Sequence, residues 1–352
     1  PAIRGAFTDY GRAEFLRDLG SGATVGIIAL PLAMAFGIAS IPDSVAQELQ
    51  AINPALTAPA LGLFTAIIAG FIISALGGSR VQIGGPTGAF IVIVYRIAAE
   101  HGYAGLATAT AMAGVILLLM GLAGFGRLIR FIPYPVTTGF TTGIAVVIAA
   151  TQLKDLFGLR PMDAAGAAIP LPPDFIPKIQ VLARAWESWA PPTVMIGIGS
   201  LLALILLRRF LPRLPGAILV VVLAGLVVML FGIDTDTIGS RFGGIPRSLP
   251  MPHLPAFHPA LMRELIPEAT TIAMLGAIES LLSAVVADGM TGRRHRSDTE
   301  LVAQGIANVA SSCFWGLPAT GAIARTVANI RAGAVSPISG MVHAVTLLLV
   351  LL

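Results

Sequence analysis

Charge is scarce in this sequence. Lys, Arg, Asp and Glu make up 11% of its 352 residues, where a soluble domain carries about a quarter. The 22 basic and 18 acidic side chains are too few to coat a soluble surface of this size. That argues against a cytosolic enzyme, a disordered chain or a nucleic-acid binder. Cysteine is nearly missing. Cys313 stands alone, which excludes an internal disulfide and any multi-cysteine metal site. A Ser/His/acid set and a carboxylate pair are also missing, so nothing marks an enzyme. His101, His253, His258 and His295 fall in connections without ligand spacing, so no metal or cofactor is called for. Gly77–Gly88 resembles a phosphate loop but lacks its Gly-Lys-Ser/Thr ending. The apolar segments do not alternate and are too long for barrel strands.

Apolar length is what the chain has. Hydrophobic residues make up 56% and the mean hydropathy is +0.87. A bilayer core needs about 20 apolar residues per helix. Charge-free stretches of that kind are Leu19–Pro42, Pro54–Ser79, Gly102–Gly126, Phe131–Leu153, Ser188–Leu207, Leu214–Ile233, Leu301–Ala324 and Ala332–Leu352. Ala269–Ala287 is interrupted only by Glu279. Pro86–Ala99 and Thr320–Arg331 are too short to cross alone. The pattern predicts an all-α polytopic membrane protein embedded in a lipid bilayer. Its helical segments lie near 22–39, 59–77, 86–99, 104–124, 131–151, 193–210, 216–232, 264–287, 299–313, 319–332 and 336–352. The stretches 40–58, 152–192 and 233–263 read as polar external connections, with one amphipathic turn at Val45–Gln50.

The net charge is +4 and the pI near 9.7. We read this as arginine collected on one side of a membrane. With the N-terminus cytoplasmic, the inner connections hold Arg4, Arg12, Arg17, Arg80, Arg127, Arg130, Arg208, Arg209, Arg213, Arg293, Arg294, Arg296 and Arg331. The outer ones hold Lys154, Arg160, Lys178, Arg184, Arg241, Arg247 and Arg263, spread over longer loops.

A weak internal repeat carries the most information. Residues 85–90 read GPTGAF and residues 318–323 read PATGAI. Each opens a short helical segment after a Gly-rich approach. The first approach climbs from the inner side and its half-helix runs outward from about Pro86. The second descends from the outer side and its half-helix runs inward from about Thr320. Two helix N-termini therefore meet near the bilayer centre, the mark of inverted repeats with a midplane site. Each end carries unpaired N–H groups and about half a positive charge. Two of them make an anion site without a cationic side chain. Gly85, Gly88 and Gly321 let a ligand approach the backbone.

Three polar side chains accompany this site. Arg325 lies one turn past the second N-terminus, and intramembrane Arg is usually functional. It either adds positive potential for the anion or snorkels or pairs with an acid. Glu279 sits mid-span and wants a proton or a partner. It is either a proton-accepting or cation-coupling group, or a structural partner of Arg325 or of backbone. Ser283 shares its face four residues on. His343 in the last span reads as a packed or interhelical hydrogen-bonding residue.

At these residues the sequence resembles the sulfate permease family (SulP, solute carrier family 26). The matching segments are Ala29–Phe36 (ALPLAMAF), Gly62–Ala66 (GLFTA), Gly77–Gly88 (GGSRVQIGGPTG), Val286–Gly292 (VADGMTG) and Pro318–Asn329 (PATGAIARTVAN). It looks closest to the bacterial branch, with its proton-coupled dicarboxylate and sodium-coupled bicarbonate carriers. The resemblance implies a seven-plus-seven inverted repeat with two broken half-helices and an elevator-like movement. It implies a cytoplasmic segment at 1–21, a core domain at 22–125 and 264–352, and a partial gate domain at 126–263. The anion would sit among Phe36, Thr87, Gly88, Ala89, Thr320, Gly321, Ala322 and Arg325. Glu279 and Ser283 would couple the cation. Leu32 stands where many members carry Gln, so that polar ligand is lost. The sequence stops within the eleventh segment of the pattern, so the last three spans and the STAS domain that the resemblance implies lie outside it. The reading is a secondary active transporter in a bacterial inner membrane, carrying a fumarate-like dicarboxylate with a proton. The alternatives are a sulfate or bicarbonate transporter with proton or sodium, or an exchanger or channel on the same fold. The resemblance also implies a homodimer, and no nucleic acid.

Overall fold

The computed structural model describes residues 1–5, 10–129, 134–163, 166, 169, 171–172, 175–211, 216–237, 239–240, 248–255 and 257–352. Arg130, Arg213, Arg241 and Arg247 of the charge argument lie outside them. The elements in order are α1 (Arg12–Ser40), α2 (Asp43–Ile52), α3 (Ala58–Leu76), β1 (Gly84–Gly85), a 3-10 turn (Gly88–Phe90) and α4 (Ile91–Leu122). Then come α5 (Gly126–Ile129), α6 (Tyr134–Phe157), α7 (Phe175–Arg184), α8 (Pro191–Phe210), α9 (Gly216–Phe231), α10 (Pro259–Glu264) and α11 (Ile266–Thr291). The described elements close with α12 (Ser297–Cys313), β2 (Thr320–Gly321), α13 (Ile323–Arg331) and α14 (Ile338–Leu351). Among the described residues, five helical stretches are long and apolar enough to cross a membrane: Arg12–Ser40, Ala58–Leu76, Gly88–Leu122, Pro191–Phe210 and Ile266–Thr291. The chain is a multi-pass membrane protein.

The chain divides into two compact units, Pro1–Thr137 with Pro246–Leu352, and Thr138–Ile245. These limits differ from the expected gate at 126–263. At the near end, Gly126 donates its N–H to Asp298 at 2.9 Å. At the far end, His253 donates its backbone N–H to the Cys313 carbonyl at 2.8 Å, and its ring stacks on Trp315. Both flanks therefore belong to the first unit.

In the first unit α1 packs on α3 and α14, and α4 packs on α12. Between apolar helices in lipid there is little hydrophobic drive, so small residues and close backbones do the packing. A Cβ added to Gly62 would lie 1.9 Å from the Ala33 carbonyl oxygen. Polar side chains fix the connections at one end of the unit. Buried Glu300 accepts the N–H groups of Gly78 and Ser79 at 2.8 and 3.1 Å. Buried Asp18 accepts that of Val335 at 2.8 Å. In the second unit α8 packs on α9.

Several expectations change. The first helix starts at Arg12 rather than 22, because its opening turns are polar and hydropathy alone does not register them. The connection 40–58 contains the helix α2, with Val45, Ala46 and Leu49 buried and Asp43, Gln47 and Glu48 exposed. The stretch 152–192 holds α7, and 233–263 holds α10. The half-helices begin at Gly88 and Ile323, later than 86 and 319, because the residues before them pair as strands. The 86–99 and 104–124 segments stay two helices, since α4 is interrupted at Gly102, whose φ of 64° and ψ of −172° are not helical.

Filling the α1–α3 contact should loosen the first unit. Gly62→Val is expected to cost about 1–3 kcal/mol by overpacking, read as an earlier thermal unfolding of the purified protein. An unchanged melting temperature would contradict this contact.

Candidate functional site

The site is built on two short extended stretches. β1 and β2 pair antiparallel, with Gly84 opposite Gly321 and Gly85 opposite Thr320. The Ala322 N–H donates to the Ile83 carbonyl at 2.8 Å. Each strand leads within a few residues into a helix, so the two helices leave the pairing in opposite directions. Gly85 has φ +147°, and a Cβ there would lie 2.7 Å from Arg325 Nη1. The position therefore needs glycine twice over, for conformation and for space.

Thr320 and several side chains that the sequence reading did not single out hold this crossing. Thr320 Oγ1 donates to the Gly276 carbonyl at 3.0 Å. Its one proton is thereby used, so Ser280 Oγ donates to Thr320 Oγ1, 2.6 Å away, and accepts the Gly321 N–H at 3.2 Å. Gln82 Nε2 donates to the Ser280 carbonyl at 3.1 Å. Asn308 Oδ1 accepts the Ala319 N–H at 2.8 Å and its Nδ2 donates to the Ala319 carbonyl at 2.9 Å. Thr326 Oγ1 accepts the Ile83 N–H at 3.0 Å. Asn329 Nδ2 donates to the Val81 carbonyl at 2.9 Å. The available signal was polar residues in otherwise apolar spans, such as Ser280 beside Glu279.

The proposed ligand residues divide by what they can offer. Thr87 and Gly88 are half-buried and Ala89 is buried. Among the described residues, the N–H groups of Gly88 and Ala89 have no acceptor, nor do those of Ile323 and Ala324. These are the unpaired donors expected of helix starts. Thr320 is fully buried and its hydroxyl is committed inward, so its side chain is a support rather than a ligand. Gly321 and Ala322 are buried and use their N–H groups within the crossing. Phe36 is half-buried on α1.

Arg325 and Glu279 grip the same dipeptide from two sides. Arg325 is 3% exposed. Its Nη2 donates to the Pro86 carbonyl, and its Nη1 has no partner among the described residues. Glu279 Oε2 accepts the Thr87 hydroxyl at 2.9 Å. Among the described residues the two make no direct ion pair, so they are not each other's structural partner. The guanidinium thus keeps one donor free beside the helix start. Ser283 is directed elsewhere: its hydroxyl donates to Thr326 Oγ1 at 3.2 Å. It supports β1 through Thr326 rather than facing Glu279. His343 is fully buried and neither ring nitrogen has a hydrogen-bond partner among the described residues, so it is packed rather than bridging.

Opposed half-helices on paired strands inside a polytopic helical unit define a membrane protein of the inverted-repeat kind. The sulfate permease family pattern matches residues 15–352, and the chain belongs to that family. It is 42% identical to YvdB of Bacillus subtilis (strain 168), a protein named for sulfate transport, over 99% of this chain and 62% of the relative. It is 30% identical to the bicarbonate transporter BicA of Picosynechococcus sp. over 95% of this chain and 57% of that relative. The chain thus spans about three fifths of the length of these relatives. The solved transmembrane domain of a cyanobacterium bicarbonate transporter BicA matches with TM-score 0.79 at 30% identity, covering 97% of this chain and 82% of that one.

Ser280 carries two bonds of the crossing. Ser280→Ala is expected to destabilise the protein by about 1–3 kcal/mol, because it strands the buried Gly321 N–H. Thermal unfolding measures this, and a shift as small as that of an exposed Ser240→Ala control would refute the assignment.

Proposed function

We propose that the protein is a secondary active transporter of a small oxyanion, sulfate or bicarbonate. The observation that carries this is the free N–H groups of Gly88, Ala89, Ile323 and Ala324 at two opposed helix starts, beside the unpartnered Nη1 of Arg325. Such donors suit a compact oxyanion. The names of the relatives, sulfate for YvdB and bicarbonate for BicA, favour these anions over the dicarboxylate expected from the sequence.

Coupling runs through Glu279. Ionised, it offsets the Arg325 charge, so an arriving anion leaves the site negative. A proton on Glu279 restores the balance, and a sodium ion beside the carboxylate would do the same. The first unit holds the site and serves as the carrier. The second, Thr138–Ile245, belongs to the stationary frame. The inner-connection arginines support a cytoplasmic N-terminus in a bacterial inner membrane.

Uptake of radiolabelled sulfate, bicarbonate and fumarate into proteoliposomes of the full protein tests the substrate. Saturable uptake of sulfate or bicarbonate, with fumarate a poor competitor, is expected. Preference for fumarate would restore the dicarboxylate reading, and no uptake of any would end the transport reading. In the same vesicles Glu279→Gln should lose proton- or sodium-driven accumulation by about tenfold or more, equivalent to ~1.4 kcal/mol, while downhill exchange persists. Full accumulation by this variant would remove Glu279 from coupling.

A further inference from the structure

A cavity of about 270 Å³ opens in the first unit where α1 begins and α11 and α13 end. None of the residues assigned above to anion or cation lines it. Four arginines from three distant parts of the sequence do: Arg17, Arg80, Arg293 and Arg294. The same wall carries Asp288 and His295.

The acids nearest this cavity are hydrogen-bonded within the fold. Asp288 is the acidic lining residue, and its Oδ2 already accepts from the His295 N–H at 3.1 Å and contacts His295 Nδ1 at 2.7 Å. Nearby Asp18 is spent on the backbone of Val335 and Ser336. Arg293 donates to the Val335 carbonyl at 3.3 Å. Arg17 and Arg294 have no ion-pair partner among the described residues. The C-terminal ends of α11 and α13 contribute roughly half a negative charge each. Against them stand the guanidinium charges of Arg17 and Arg294, which no ion pair among the described residues takes up. Burial, and then the charge of Arg293, lower the Arg80 pKa below its ordinary value, as crowded like charges should. Arginines gathered only by membrane orientation would spread into solvent, whereas these converge on one concavity.

We propose that this cavity binds a phosphomonoester, a group carrying about −1.5 to −2 charges at neutral pH whose oxygens match the guanidinium fork. The group is presented either by an anionic lipid headgroup or by a soluble phosphate ester. Basic pockets between membrane helices on the inner side take such headgroups. The site does not depend on which anion the protein carries.

Phosphatidic acid and glycerol 3-phosphate share the same phosphomonoester, so they separate the sources. The purified full protein is melted with glycerol 3-phosphate in detergent. It is also melted in phosphatidylcholine nanodiscs with and without phosphatidic acid. A saturable rise in melting temperature with either probe is expected and names the source. The double variant Arg17→Gln/Arg294→Gln removes two exposed side chains and leaves Thr87–Ala89 intact. It should need about tenfold more probe, equivalent to ~1.4 kcal/mol, while melting normally without it. Arg208→Gln/Arg209→Gln removes equal charge elsewhere and should bind as the parent does. No saturable shift with either probe, or equal loss in both double variants, would overturn the site. So would undiminished binding in the first.

Discussion

The structure depends on two residue pairs, far apart in the sequence, that join as short strands. Backbone that is neither helical nor paired costs several kcal/mol per group inside a bilayer. Gly84–Gly85 and Thr320–Gly321 meet this cost by pairing with one another. Because the pairing is antiparallel, the helices that follow are opposed, and their free N–H groups come to the same place. The proposed anion site is therefore a by-product of satisfying two interrupted helices at once. What the strands leave unsatisfied, side chains complete: Asn308 on residue 319, Thr326 on 83 and Asn329 on 81.

The charged pair is arranged around that backbone, not around itself. Arg325 holds the Pro86 carbonyl and Glu279 the Thr87 hydroxyl. A direct ion pair would have closed the site and left both groups inert. Bonding to adjacent residues instead ties each to the geometry of the first half-helix, with one guanidinium nitrogen still unpartnered. Family relatives named for sulfate and for bicarbonate fit a site made mostly of N–H groups. Such donors respond to charge and to oxygen, and only weakly to the atom those oxygens surround.

The inner end of the same unit shows a second use of charge. Buried Glu300 and Asp18 are spent on loop N–H groups, and Arg17 and Arg294 have no ion-pair partner among the described residues. The connections are thus rigid and positively charged together. That combination makes a concavity rather than a diffuse basic rim.

Much of this was legible from residues alone. Runs of apolar residues marked most spans, since hydropathy tracks length in lipid. The repeated Thr-Gly-Ala after Gly-rich approaches marked both half-helices, since only glycine and proline interrupt a helix so regularly. Hydropathy did not register the polar first turns of α1 or the amphipathic helix α2, whose burial depends on neighbours far along the chain. Nor does any one-dimensional pattern reveal which way a hydroxyl points. Thr320 and Thr87 occupy equivalent places in the repeat, yet one is consumed by Gly276 and Ser280 and the other reaches Glu279. Ser283, spaced to share a face with Glu279, turns to Thr326 instead. Spanning a bilayer and breaking two helices in opposite senses follow from local composition, so the residue order alone reveals them. Tertiary structure alone decided which donors stay free, because that depends on partners two hundred residues away competing for the same hydrogen bonds.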